Sequence, residues 1–146
     1  MPMKKKKYLK LMNLSPQQAV GNYLVKEVGF DFDWDSKKVW ALHEPVVEMN
    51  LKDLIWHFDI PFWEIQDSDD YNLKPWEVIK EPTKHSAHYK KIKKANLKYP
   101  IDIMKNKGKW LILDGLHRLV KAHLEGLKKV KVRKIPRKKI PEILKE

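Results

Sequence analysis

The sequence predicts an α+β (α/β) fold, a small mixed sheet flanked by helices, with an N-terminal helical and acidic extension. Three observations carry this expectation. In the last third of the chain, segments at strand, strand, helix and strand spacing follow one another, the order of an α/β or α+β unit. The 146 residues suit one domain with a short appendage, and no internal repeat is present. Hydrophobic residues make up 42% of the chain, enough for a packed core.

Taken in order, residues 1–14 read as a flexible basic arm. Ser15 and Pro16 then form an N-cap and first helical residue, and Ala19, Val20, Tyr23, Leu24 and Val28 recur at helical spacing until Gly29. Phe30, Phe32 and Trp34 alternate with Asp31, Asp33 and Asp35, which in a strand sets aromatics on one face and carboxylates on the other. The triplet is not a calcium loop, because its sixth and twelfth positions are Ser36 and Leu42, where a turn glycine and a bidentate glutamate are needed. Val39 to Leu42 predicts a strand. Asn50 caps a short helix carrying Leu51, Leu54, Ile55 and Phe58 before Pro61 breaks the pattern. Gln66 to Asn72 is an acidic loop, so residues 15–72 form an extension that packs on the core or covers its site.

The core is expected over residues 73–146. Leu73 to Ile79 shows no decisive period. Pro82 and Thr83 open a helix with Tyr89, Ile92 and Ala95 on one face and Lys90, Lys91, Lys93 and Lys94 on the others. Tyr99 to Met104 alternates as a strand, Lys105 to Gly108 supplies a turn, and Trp110 to Leu113 is a near-continuous apolar strand. Gly115 leads into a helix with Leu116, Leu119, Val120, His123, Leu124 and Leu127 on one face, stopped by Gly126. A last strand, Lys129 to Ile135, turns Val130, Val132 and Ile135 inward and Lys131 and Arg133 away.

Composition excludes several chemistries. With no cysteine, a disulfide framework, a thiolate zinc site, an iron–sulfur cluster and a cysteine nucleophile are all ruled out. No apolar run approaches the roughly 20 residues of a membrane span, and residues 1–10 lack the apolar stretch of a secretory signal, so a cytoplasmic, membrane-free setting is expected. The net charge of +12 is unevenly placed: +6 over residues 1–26, −9 over residues 27–81 and +15 over residues 82–146. Only Arg118, Arg133 and Arg137 are arginines. Lysine is a point charge without the planar fork that reads a guanine edge, which argues against base-specific DNA recognition.

The most informative residues are Asp114-Gly115-Leu116-His117-Arg118, where a buried strand turns sharply into an amphipathic helix. A helix start presents unpaired N–H groups and positive dipole, the glycine admits a ligand close to the backbone, and His117 and Arg118 add donors at the same end. A phosphate fits all three, and Lys121, one turn on, extends the basic surface. Asp114, at the edge, is placed to take a proton from a nucleophilic hydroxyl or to help hold a magnesium ion. The plain alternative is an Asp114 N-cap, a turn glycine and a solvated polar face. Two basic side chains oppose the dipole at this end, which favours the reading in which an anion joins them.

The run Trp110 to Ala122, WLILDGLHRLVKA, preceded by Tyr99-Pro100-Ile101-Asp102 and followed by Gly126 and a Val-rich strand, resembles the ParB/sulfiredoxin superfamily. The resemblance spans roughly residues 73–136, and its Asp-Gly-x-His-Arg turn is most similar to the free-serine-kinase-like branch. It implies that Gly115, Leu116, His117 and Arg118 hold nucleotide phosphates, that Asp114 acts as catalytic base, and that the ligand is ATP, ADP or CTP with magnesium. Sulfiredoxin chemistry is ruled out, since Leu116 stands where that branch needs cysteine. Nothing after Ile135 is long enough for a partition protein's helix-turn-helix.

His85 and His88, with Glu81 or Asp114, form a weaker metal-ligand pattern; in the superfamily the corresponding helix faces the phosphates, which implies that both histidines do so here. His43, His57 and His123 read as packing or surface residues. The leading functional expectation is a nucleotide-binding domain catalysing phosphoryl transfer to a small hydroxyl-bearing substrate, or nucleotide hydrolysis. The rival is a DNA- or RNA-binding protein that grips phosphates with its basic arm and basic last third. A third has the acidic stretch 27–81 neutralising the core, within one chain or in an oligomer.

Overall fold

A computed structural model describes residues 34–65 and 72–145. Strands β1 (Val46–Asn50), β2 (Ile101–Asn106), β3 (Lys109–Asp114) and β4 (Lys129–Lys134) form one sheet in the order β1-β4-β2-β3. The β2/β4 pair is parallel and the other two are antiparallel, which makes the sheet mixed. Helices α1 (Ser36–Trp40), α2 (Pro75–Lys80), α3 (Ser86–Lys94), α4 (Leu116–Leu124) and α5 (Ile140–Ile143) complete an α+β fold. The expected arm, the helix from Ser15, Phe30 and Phe32, and residues 66–71 of the acidic loop lie outside the described residues. No helix among the described residues is long and apolar enough to cross a membrane.

Both faces of the sheet are covered. On one, Ile101, Ile103, Ile112, Val130 and Val132 pack with Leu54, Phe58, Ile92 and Leu119. On the other, Met104, Leu111 and Ile135 pack with Val39 of α1 and Ile143 of α5. Each such side chain contributes roughly 1.5–3 kcal/mol on burial. His57 is a packing residue, as expected. Its Nδ1–H donates to Leu54 O at 2.7 Å while its Nε2 accepts Ile112 N–H at 3.0 Å, and burial pushes its pKa down to about 3. His123 sits edge-on to Phe58 and Trp76, and His43 is exposed.

The β2–β3–α4–β4 unit follows the sequence closely. The hairpin turn is shorter than expected, the two residues Lys107 and Gly108, whose φ values of 51° and 80° match the type I′ turn that suits twisted strands. α4 ends in a Schellman motif: Gly126 takes φ 75°, its N–H donates to His123 O, and Leu127 N–H donates to Ala122 O.

The extension departs from expectation. Val39 to Leu42 is not a strand. Asp35 accepts Lys37 N–H at 2.9 Å and so starts α1 instead, a local capping signal that outweighs four residues of strand propensity. Asp35 is thus a cap, while Trp34 forms a single bridge to Leu144 and donates from Nε1 to Leu113 O. Asn50 makes no cap bond, and the expected helix is two 3-10 segments, Leu51–Asp53 and Ile55–Asp59. β1 was invisible to hydropathy because Val46 and Val47 are exposed on an edge strand. It places Glu48 opposite Lys131, so this stretch of the acidic extension belongs to the core sheet. α2 fills the unassigned segment behind Pro75, with Lys74 N–H donating to Glu77 Oε1. α3 begins at Ser86 rather than Pro82, because His85 N–H closes a turn onto Glu81 O.

One correction bears on function. Arg133 does not point into solvent: it is 9% exposed on the sheet face covered by α1, the same face that takes Ile135. In a sheet covered on both sides, a polar residue among apolar ones marks the other face and not water.

Candidate functional site

Two carboxylates meet on one face because the β2/β3 register breaks. Asp102 lies opposite Asp114 and Ile103 opposite Ile112, so Leu113 is the extra residue of a bulge that swings Asp114 onto the Asp102 face. Gly115 follows with φ 111° and turns the chain into α4. A Cβ there would lie 3.1 Å from Arg118 Nη1 and 3.2 Å from Ile101 Cα, so only glycine fits this approach.

Asp102, Asp114, Arg118 and Arg133 line one cavity of about 460 Å³, together with Pro100, Trp40 and Tyr99. Asp114 Oδ2 accepts the Trp40 indole N–H at 2.7 Å and lies 3.6 Å from Arg118 Nη2. Arg118 Nη1 donates to Pro100 O at 2.9 Å, and its guanidinium carbon is 5.9 Å from the centre of the Tyr99 ring. Arg133 Nε donates to Asp102 Oδ1 at 2.6 Å, and its Nη1 and Nη2 donate to the Leu42 and Val39 carbonyls at the end of α1. Burial raises the Asp102 pKa above the ordinary carboxylate value, while the Arg133 hydrogen bond and charge oppose that rise. The first intrahelical bond of α4 is Leu119 N–H to Gly115 O, so the amides of Leu116, His117 and Arg118 stand outside the helical ladder.

His117 faces elsewhere. Its Nε2 is 3.2 Å from His88 Nδ1, and the two rings lie edge to edge within 12° of coplanar, 5.4 Å between centres. Trp63 stacks over both, at 4.3 Å from His117 and 4.7 Å from His88. His88 Nε2 is 2.7 Å from Glu64 O, and a carbonyl only accepts, so Nε2 carries the proton. Neutral His88 therefore accepts at Nδ1, and His117 donates from Nε2. Burial first, then the nearby imidazole of His88, which disfavours a second positive charge, and the charge of Lys91 push the His117 pKa down to about 3, and burial also lowers that of His88. The expectation of two basic side chains at this helix start is corrected to one, Arg118, because His117 stays neutral under its indole cover.

The remaining sequence candidates are spread out. Lys121 donates from Nζ to Lys93 O and Ala95 O, tying α4 to the end of α3 instead of extending the turn's basic surface. Leu116 packs partly against the core and lines a second cavity of about 210 Å³ with Trp34, Phe62 and His117. His85 lines a separate cavity of about 150 Å³ with Lys84, Glu77 and Ile65, away from Arg118. His88 has both ring nitrogens engaged, Glu81 pairs with Lys84, and among the described residues no group of three or more metal-ligating side chains occurs.

Sequence reasoning gave no role to Trp40, Tyr99, Asp102 or Arg133. The usable signal was a single aspartate inside the apolar run Ile101 to Met104, since a charge in a buried strand needs a partner. Comparison with protein-family models, with curated proteins and with solved structures finds no match.

Proposed function

We propose that the chain is a nucleotide-binding domain of the ParB/sulfiredoxin type that catalyses phosphoryl transfer to a small hydroxyl-bearing substrate, or nucleotide hydrolysis. The observation that supports the reading is one cavity lined by both Asp114 and Arg118 at the start of α4, whose first amides stand outside the helical ladder. Arg118 and those amides would bind the phosphates of ATP, ADP or CTP, with the helix dipole adding to the attraction. Asp114, held by the Trp40 indole, would accept the proton of the attacking hydroxyl or water. Asp114, with Asp102 beside it, would supply the one or two carboxylates that a magnesium ion on a phosphate takes from protein, and the ion would offset phosphate charge. His117 would hold the first turn of α4 through His88 without touching the phosphates.

A thermal-shift panel of ATP, ADP, CTP and GTP, with and without magnesium, tests this. Wild type should gain about 2.7 kcal/mol of stability at 100 times Kd, and Arg118→Ala should gain nothing. Asp114→Asn keeps an acceptor for Trp40, so it should retain the shift and lose about 10²–10⁴-fold in phosphate release or transfer. Full activity in both variants sinks the proposal.

A second reading, DNA or RNA binding, has its own observation. Lys105 and Lys134 lie 5.2 and 5.0 Å over Trp110, two cations on one aromatic ring that suit a phosphate backbone. Such binding falls steeply with salt, and a filter titration without retention at low salt would dispose of it.

A further inference from the structure

Trp40 and Tyr99 line the wall of the charged cavity and are 54% and 62% exposed. Among the described residues neither ring packs on another aromatic ring, although Trp56 and Trp63 stack on histidines and Trp76 packs edge-on to Phe58. Leaving two such rings in water forgoes a large burial gain, and exposed aromatics beside a cavity mark a surface for a ligand. Both are held in place. The Trp40 indole N–H donates to Asp114, and Tyr99 closes a turn onto Asn96 O directly ahead of Pro100, with Arg118 against its ring. The four charged side chains of the cavity are engaged with one another, Arg133 with Asp102 and Arg118 with Asp114.

The site is therefore divided between paired charges and open aromatic faces. We infer that Trp40 and Tyr99 form the base-binding part of the site and take the nucleotide's base by stacking, while its phosphates lie toward Arg118. This rests on the nucleotide reading above and adds the ligand class, a nucleoside polyphosphate as opposed to a bare phosphate chain. The cavity, at about 460 Å³, falls within the roughly 300–1,000 Å³ typical of small-molecule sites. Every base has a π face, so stacking on these rings discriminates weakly among bases.

Calorimetric titration of the full chain with ATP, CTP, GTP and inorganic tripolyphosphate, each with magnesium, tests the assignment. The three nucleotides should bind wild type within about 5-fold of one another and about 10-fold or more tighter than tripolyphosphate, the size of a base–aromatic stack. Tyr99 is an exposed turn residue, so Tyr99→Ser leaves the fold intact. It should remove most of the nucleotide advantage over tripolyphosphate, and Tyr99→Phe should restore the advantage. Equal affinity of wild type for ATP and tripolyphosphate would overturn the base site and leave the phosphate reading standing. So would equal weakening of both ligands by Tyr99→Ser, or a preference above about 100-fold for one base, which needs polar reading of its edge. If none of the four ligands binds, the nucleotide reading falls and the base site with it.

Discussion

Arg133→Ala should lower the unfolding free energy by about 3–5 kcal/mol, the range for removing one partner of a buried ion pair. Arg133 donates to Asp102 and to the Leu42 and Val39 carbonyls, so its loss leaves a buried carboxylate without its cation and frees the end of α1. The penalty should depend on pH. Asp102 already has a raised pKa in the folded chain because burial outweighs Arg133, and removing Arg133 takes away the hydrogen bond and the nearer charge that hold it down, leaving only the weaker pull of Arg118. A folded-state pKa above the unfolded value means that the native chain binds the proton more tightly. Stability contributed by this group therefore rises as pH falls from the folded pKa toward the unfolded one. The deficit of Arg133→Ala, measured by denaturant titration, should shrink as pH is lowered from neutral toward the ordinary carboxylate range, and a deficit that does not change with pH would mean that Asp102 is not the source. Arg133→Met with Asp102→Leu removes both charges and should recover most of the loss.

Gly115→Ala should cost about 2–4 kcal/mol and also abolish the nucleotide-induced thermal shift. A φ of 111° is strained for any L side chain, and the added methyl meets two neighbours of different stiffness. Arg118 Nη1, at 3.1 Å, can swing away, but only by giving up Pro100 O. Ile101 Cα, at 3.2 Å, belongs to the central strand β2, which is paired to β4 on one side and β3 on the other, and cannot give. Denaturation measures the first effect and the ATP shift the second. A variant of wild-type stability that still binds ATP would show that the chain does not need this approach.

The parts of the fold that could be read from sequence are those specified locally. Gly126 and the apolar run Trp110 to Leu113 mark α4 and β3 within a few residues of where they act, as does Gly115 for the turn. β1 could not be read, because an edge strand with exposed Val46 and Val47 lacks the inward alternation that identifies a strand. Arg133 was misread for a related reason, since alternation assigns a face and says nothing of what covers it. The site divides in the same way. Asp114, Gly115 and Arg118 are neighbours in sequence and were found together. Trp40, Asp102 and Arg133 join them only through a bulge and through α1 docking across the sheet, and His117 loses its charge to His88 and Trp63, which lie far off in sequence.

The pairing of β1 with β4 also sets an order of assembly. The β2–β3 hairpin closes through a two-residue turn, and β4 returns beside β2 after one helix, so this unit has mostly short loops to close. β1 has β4 as its only neighbour in the sheet, and α1 rests on α5 and on carbonyl bonds from Arg133, so both wait for the last-made residues of the described chain. On the ribosome this segment therefore emerges well before its partners, with Val46 and Val47 on a strand that has yet to pair. Since α1 carries Trp40, the wall of the cavity is completed only when the two ends of the described chain meet.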